Sequence, residues 1–155
     1  MKQLLGIFAC ALFLLGCSPS EKDENTLIIG TNGQYYPYEF KEEGELKGYD
    51  IELGKELGAL LEKKIKWVDM DFDALIISLQ QGKVDMIMAG ISITPEREQA
   101  IWMIPYQGGD SKVFYVVYSE KMPFKKSWDD PSLKVAVEVS TLQYTFMKNA
   151  YPEVK

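Results

Sequence analysis

Apolar and polar positions run along the chain in blocks whose period switches between that of a strand and that of a helix. Leu27-Ile28-Ile29-Gly30-Thr31 is a short apolar run and predicts a buried strand. "NGQYYPYEF" follows, a Gly- and Pro-punctuated loop with four aromatics, and then "KEEGELKG", a polar turn around Gly44. Ile51, Leu53, Leu57, Leu60 and Leu61 form a helical stripe that runs to Lys63-Lys64, cations suited to a last turn. Ile65 to Met70 reads as a second strand. Phe72, Leu75, Ile76 and Leu79 mark a second helix, with Asp71 as its cap and Gly82 as its stop. Val84 to Met88 is a third strand, which completes a β-α-β-α-β unit and predicts a parallel sheet with right-handed crossovers.

The character changes beyond Trp102. "PYQGGD" (105 to 110) interrupts the pattern, "KVFYVVY" (112 to 118) is strongly β-prone, and "MPFKKSWDDPS" (122 to 132) is a polar excursion with Ser127 as a candidate cap. "LKVAVEV" (133 to 139) predicts another strand, and "STLQYTFMKNAY" (140 to 151) a helix opened by Ser and Thr. One strand-helix pair does not close a sheet. The expectation is therefore an α/β protein with a first lobe over 27–108 and a partial second lobe over 109–155. Trp67 and Trp102 read as packing residues.

The first residues change the picture. Lys2 is followed by thirteen uncharged residues, Leu4 to Gly16, the length of a signal-peptide apolar region and too short to span a bilayer. A buried N-terminal helix is the plainer alternative. Leu14-Leu15-Gly16-Cys17 resembles the lipobox of bacterial lipoproteins, in which the cysteine becomes the lipidated first residue; Leu15 is a less usual occupant of its position. Residues 1–16 are thus expected to be a lipoprotein signal peptide, and 17–26, with "SPSEKDEN", a flexible tether. The protein is expected to be exported and held at Cys17 in the periplasm or on the cell surface, anchored to the membrane without spanning it.

Composition narrows the chemistry. The 155 residues, 46% apolar, can bury a core. Loss of Lys2 takes the net charge from -6 to -7, and no basic run is present, which argues against a nucleic-acid partner. The cysteines are Cys10 and Cys17, so a processed domain has neither disulfide nor thiol chemistry. There is no histidine, which removes Ser-His-Asp and Cys-His catalysis and makes an ordinary zinc site improbable. These absences favour a binding protein without a cofactor or metal over an enzyme, which would have to work with carboxylates, Lys or Tyr.

One feature asks for a ligand. In "AGISITPERE" (89 to 98), Thr94-Pro95 is a good helix opening, which puts Arg97 in the first turn, where the helix dipole disfavours a cation. An arginine there makes sense if an anion is meant to arrive beside the free N–H groups. A solvated helix-face arginine is the bland alternative.

Four stretches together resemble one family. "GYDIELGKELGALL" (48 to 61) is similar to the signature of the extracellular solute-binding proteins of family 3, which deliver polar amino acids to ABC importers. "DFDALIISLQQGKVDMIMAGISITPER" (71 to 97) resembles the next block of that family, "GTNGQYYPYEF" (30 to 40) its first ligand loop, and "VAVEVSTLQ" (135 to 143) the ligand loop of its second lobe. The resemblance covers residues 27 to 151. It implies a type II periplasmic-binding-protein fold, two lobes with mixed, mainly parallel sheets joined by a hinge, closing on one amino acid. It also implies a monomer that hands its ligand to a membrane permease.

The resemblance implies roles for particular residues. Arg97 would grip the α-carboxylate, while Gly90 and Ser92 would supply a carbonyl and a hydroxyl to the α-ammonium. Ser92 would also give an N–H to the carboxylate. Thr141 and Gln143, with the N–H groups that open their helix, would clasp it from the second lobe. Tyr35 and Phe72 match the aromatics that sandwich the ligand side chain. Asn32 and Glu39 lie in the same loop as Tyr35, and a carboxylate beside ring faces suits a planar cation, so an arginine-type ligand is expected ahead of glutamine.

The chain departs from the family at three points. Ser140 stands where relatives usually have Gly, Ala89 replaces a hydroxyl residue found in some members, and the acid that pairs with the α-ammonium falls beyond Lys155. Structural readings stay open beside these roles: Phe72 as core, Glu39 as a surface charge, Asp50 and Glu52 as helix-start charges. Competing functions are a dehydratase-like enzyme on the same fold, a ligand-sensing module, and a truncated remnant that no longer binds.

Overall fold

The computed structural model describes residues 23–107, 128, 130 and 132–155. The expected signal peptide, Cys17, the 112–118 run and the Ser127 cap lie outside the described residues.

Strand β1 (Thr26–Thr31) is the centre of a three-stranded parallel sheet. On one side it pairs along its whole length with β5 (Lys64–Asp69), on the other with β6 (Met86–Ile87). The parallel unit is the one the pattern predicts. The third strand is shorter than Val84 to Met88, although Asp85 N and Met88 N still donate to the Ile28 and Gly30 carbonyls at 2.7 and 3.0 Å. Thr26, expected in the tether, already belongs to β1. Asp23 closes a turn before it, its Oδ2 accepting from Thr26 Oγ1 at 2.8 Å.

Residues 34–47 keep the polar turn expected around Gly44, but the segments on either side of it are strands and not loop. They form β2 (Gln34–Tyr35), β3 (Glu39–Glu42) and β4 (Glu45–Lys47), a small antiparallel sheet. Glu43 and Gly44, both at positive φ (54° and 86°), make the two-residue connection between β3 and β4, the backbone of a type I′ turn. Glu-Gly is a weak signal for that turn, and the strands carry too few apolar residues to show a period of two.

Helix α1 (Tyr49–Leu60) covers the sheet through Asp50, Ile51, Gly54 and Gly58. Two glycines on this face let β5 come close: a Cβ at Gly54 would lie 2.5 Å from the Trp67 ring, and one at Gly58 would lie 2.6 Å from Ile65 Cγ1. Trp67 thus packs as expected, while Leu60 and Leu61, read as part of the stripe, are largely exposed. Lys64 joins β5 instead of the last helical turn. The next helix opens as a 3-10 turn (Phe72–Ala74) and continues as α2 (Leu75–Gln80); Asp71 is at the cap position but makes no side-chain capping bond. Gly82, at φ +67°, follows it as the expected stop. Ile29, Ile51, Leu75, Val84, Met88 and Ala89 are the core between these layers. Burial of such side chains is worth about 1.5–3 kcal/mol each before entropy is charged against it.

Helix α3 (Pro95–Ala100) ends before Trp102, which is 99% exposed and not the packing residue expected. Residues 133–139 form no strand among the described residues. Their ladder is limited to Val135 N on the Lys155 carbonyl at 2.8 Å and Lys155 N on the Leu133 carbonyl at 3.3 Å. Helix α4 (Leu142–Ala150) follows, with Thr141 as its cap.

Candidate ligand cleft

Thr94 and Pro95 open α3 as their residue types require, with Thr94 Oγ1 accepting the Arg97 N–H at 3.2 Å. That geometry turns the Arg97 side chain back over the loop before the helix. Nη1 donates to the Ser92 carbonyl and Nη2 to the Ser140 carbonyl, each at 2.7 Å, and the guanidinium lies 5.6 Å from the Phe72 ring centroid. Three of the five guanidinium hydrogens stay unused by these bonds. Arg97 has no carboxylate within salt-bridge distance among the described residues, and burial lowers its pKa from the usual guanidinium value.

The core end of the same loop is held by an acid. Gly90, at φ +52°, lies so close to Tyr35 that a Cβ would stand 2.9 Å from its ring. Its N–H donates to Asp50 Oδ2 at 3.0 Å, and the Tyr106 hydroxyl donates to the same oxygen at 2.7 Å. Asp50 stands in the first turn of α1, as its helix-start reading has it, but it is fully buried and points inward on the face that also carries Gly54 and Gly58. The acid–Gly–Gly spacing at i, i+4 and i+8 is the signal in the sequence that could have found it.

Glu39 is 1% exposed, so it is no surface charge. Neither of its carboxyl oxygens, nor Asp50 Oδ1, has a hydrogen-bond partner among the described residues. Burial pushes the Glu39 carboxyl up to about 9, with the Asp50 carboxylate adding to it by charge and as an acceptor for the protonated form, and Glu138 adding further. Asn32, also buried, is anchored by its amide nitrogen to the Met70 carbonyl at 3.0 Å.

On the far wall, the Thr141 hydroxyl accepts the Tyr144 N–H at 3.1 Å and donates to the Glu138 carbonyl at 2.7 Å. Its hydrogen is therefore committed to the cap and not to a ligand. The backbone N–H groups of Thr141, Leu142 and Gln143 precede the first intrahelical bond and are the donors this helix start offers.

All ten residues singled out in the sequence line one cavity of about 600 Å³. Asn32, Tyr35 and Glu39 come from the hairpin side, and Phe72 from the 3-10 turn. Ala89, Gly90, Ser92 and Arg97 come from the loop into α3, and Thr141 and Gln143 from α4. The sequence did not point to Trp128, Lys134, Phe146 and Met147, which complete the far wall. Charge, aromatic faces and backbone donors thus converge in a space of the size that small-molecule sites occupy.

The profile of the bacterial extracellular solute-binding proteins, family 3, matches residues 27–149, and the chain belongs to that family. It is 36% identical over 145 residues to the probable ABC transporter arginine-binding protein ArtJ of Chlamydia trachomatis, a match covering 90% of this chain and 55% of that protein. It is 33% identical over 156 residues to the probable histidine-binding protein of Campylobacter jejuni, covering 92% and 60%. Among solved structures it is similar to the ancestral amino acid-binding protein AncCDT-1, a precursor of cyclohexadienyl dehydratase, with a TM-score of 0.67, 33% identity and coverage of 84% and 59%. The fold is that of the family, and the chain spans somewhat over half the length of these relatives.

Proposed function

We propose that the chain is the ligand-binding part of an exported receptor that takes up a polar, cationic amino acid of the arginine type and delivers it to the permease of an ABC importer. One observation carries this reading: the same cavity holds an arginine with no carboxylate partner and a buried carboxyl with no hydrogen-bond partner among the described residues. An α-carboxylate complements Arg97, and a guanidinium or ammonium complements Glu39. The Gly90 carbonyl and the Ser92 hydroxyl suit the α-ammonium, Tyr35 and Phe72 the flat faces of the side chain, and Asn32 its tip. Ala89 offers only apolar contact. Thr141 and Gln143 contribute their N–H groups to the carboxylate. The names of the relatives from Chlamydia trachomatis and Campylobacter jejuni, arginine- and histidine-binding, agree with a cationic ligand.

Residues 27–108 form the first lobe in this reading and 109–155 belong to the second. The chain works as a monomer, exported by its first 16 residues and anchored by lipid on Cys17. A Cys17→Ser variant expressed in bacteria should then move from the membrane fraction to the soluble one. The binding role is tested by thermal melts with excess arginine, lysine, histidine, glutamine or glutamate, since a ligand held only by the native state raises its melting temperature. Selective stabilisation by arginine supports the assignment, and a melt indifferent to all five removes it. A dehydratase-like enzyme is the second reading, favoured by the raised Glu39 carboxyl, a group fit to carry a proton. Recovery of the bound amino acid chemically unchanged after long incubation decides for the receptor.

A further inference from the structure

We propose that Glu39, buried against the Asp50 carboxylate, is protonated in the empty cleft, and that capture of a cationic side chain expels that proton to solvent. The proposal rests on the receptor reading above and adds how the site selects charge. Both side chains are buried, Glu39 at 1% and Asp50 at 0% exposure, yet Glu39 borders the cavity. Asp50 spends Oδ2 on the Gly90 N–H and the Tyr106 hydroxyl. Its Oδ1 and both Glu39 oxygens are left over. Two carboxylates offer only acceptors, so as a doubly ionised pair they cannot satisfy one another; a proton on Glu39 makes it a donor toward the Asp50 carboxylate.

Among the described residues no cation lies within salt-bridge distance of Glu39. Asp50 faces Glu39 from α1, Glu138 from the segment before α4, Tyr106 from the chain after α3, and Tyr35 from its own hairpin. Lys41 pairs with Asp69 and Lys47 with Glu42, while Arg97 and Lys134 line the same cavity as Glu39 without bonding it. Burial and these neighbours together raise Glu39 to about 9, so near neutral pH it keeps its proton. A guanidinium brought beside it reverses the balance, because the opposite charge favours the carboxylate. A cationic ligand then binds in exchange for the proton and gains affinity as pH rises, whereas a neutral side chain meets a carboxylic acid and exchanges nothing.

The test is calorimetry of L-arginine binding at about pH 7 in two buffers of different ionisation enthalpy. L-glutamine, which has the same α-groups, is the neutral comparison. The expected result is release of close to one proton per arginine and none per glutamine, with arginine affinity rising up to about tenfold per pH unit between about pH 6 and 8. Glu39→Gln should abolish the release. In case that variant does not fold, carbonyl NMR of the unliganded chain gives the same answer: a Glu39 carboxyl that titrates above about pH 7 supports the proposal. Arginine binding without proton release, undiminished release from a folded Glu39→Gln, or a Glu39 carboxyl ionised at pH 7 overturns the proposal and leaves the receptor reading standing. Failure of every amino acid to bind removes both.

Discussion

Arg97 Nη2 donates to the Ser140 carbonyl at 2.7 Å, and Ser140 itself sits at φ +64°. The bond ties the turn before α4 to the loop before α3, 43 residues away in sequence, and it does so at a backbone conformation that glycine adopts without penalty. Ser140→Gly should therefore keep the bond and shed strain, raising stability by up to about 1 kcal/mol, whereas Ser140→Val, β-branched at positive φ, should lose about 1–3 kcal/mol. Denaturant midpoints of the three chains check the order Gly, Ser, Val.

The guanidinium of Arg97 serves two carbonyls at once and keeps further donors for a ligand. A lysine is a point charge that cannot reproduce the fork. Arg97→Lys should weaken amino-acid binding by roughly tenfold to a hundredfold, and Arg97→Met by more, with smaller losses in stability. Calorimetric dissociation constants beside thermal melts separate the two effects. Equal binding by Arg97→Lys would show that the carboxylate is held elsewhere.

Gly90 meets Tyr35 too closely for any side chain. Gly90→Ala should cost about 1–3 kcal/mol through its positive φ and should also push the Tyr35 ring out of the cleft. Stability measured by urea unfolding and tyrosine fluorescence of the native state report the two consequences. A Gly90→Ala/Tyr35→Ala double variant should recover only the part due to the ring contact.

The Glu39 carboxyl fixes a pH dependence of stability. It keeps its proton in the folded chain up to about 9 but loses it near 4.5 when unfolded. Between these values the folded state binds more protons, so stability must fall as pH rises through the window and level off above it. Surface carboxylates held low, such as Glu42 by its bond from Lys47, act below 4.5 and in the opposite direction. Unfolding midpoints from about pH 5 to 9 should decline in the native chain and flatten in Glu39→Gln.

Long periodic elements were legible before the structure: β1 and β5 fall within one residue of their expected bounds and α1 begins within two, although it stops at Leu60, short of the Lys63-Lys64 expected in its last turn. The site was legible through resemblance, since the ten residues are scattered from 32 to 143 and composition alone cannot bring them together. The hairpin at 34–47 was not, because Glu43-Gly44 supplies the turn geometry without its usual sequence. The place of Asp50 in the first helical turn was legible and its burial was not, because helix-start acids are commonly solvated and what sets this one apart is the pair of glycines on its face. Trp102 was misread because large aromatics usually pack, and among the described residues nothing covers it.

The measurement that bears most directly on the central claim is an amide NMR titration of the chain with L-arginine. Gly90 and Ser92 on one wall and Leu142 and Gln143 on the other should shift together and saturate at one ligand per chain, as the cleft closes on an amino acid held from both sides. Arginine that leaves these amides unmoved, or moves only one wall, would contradict it.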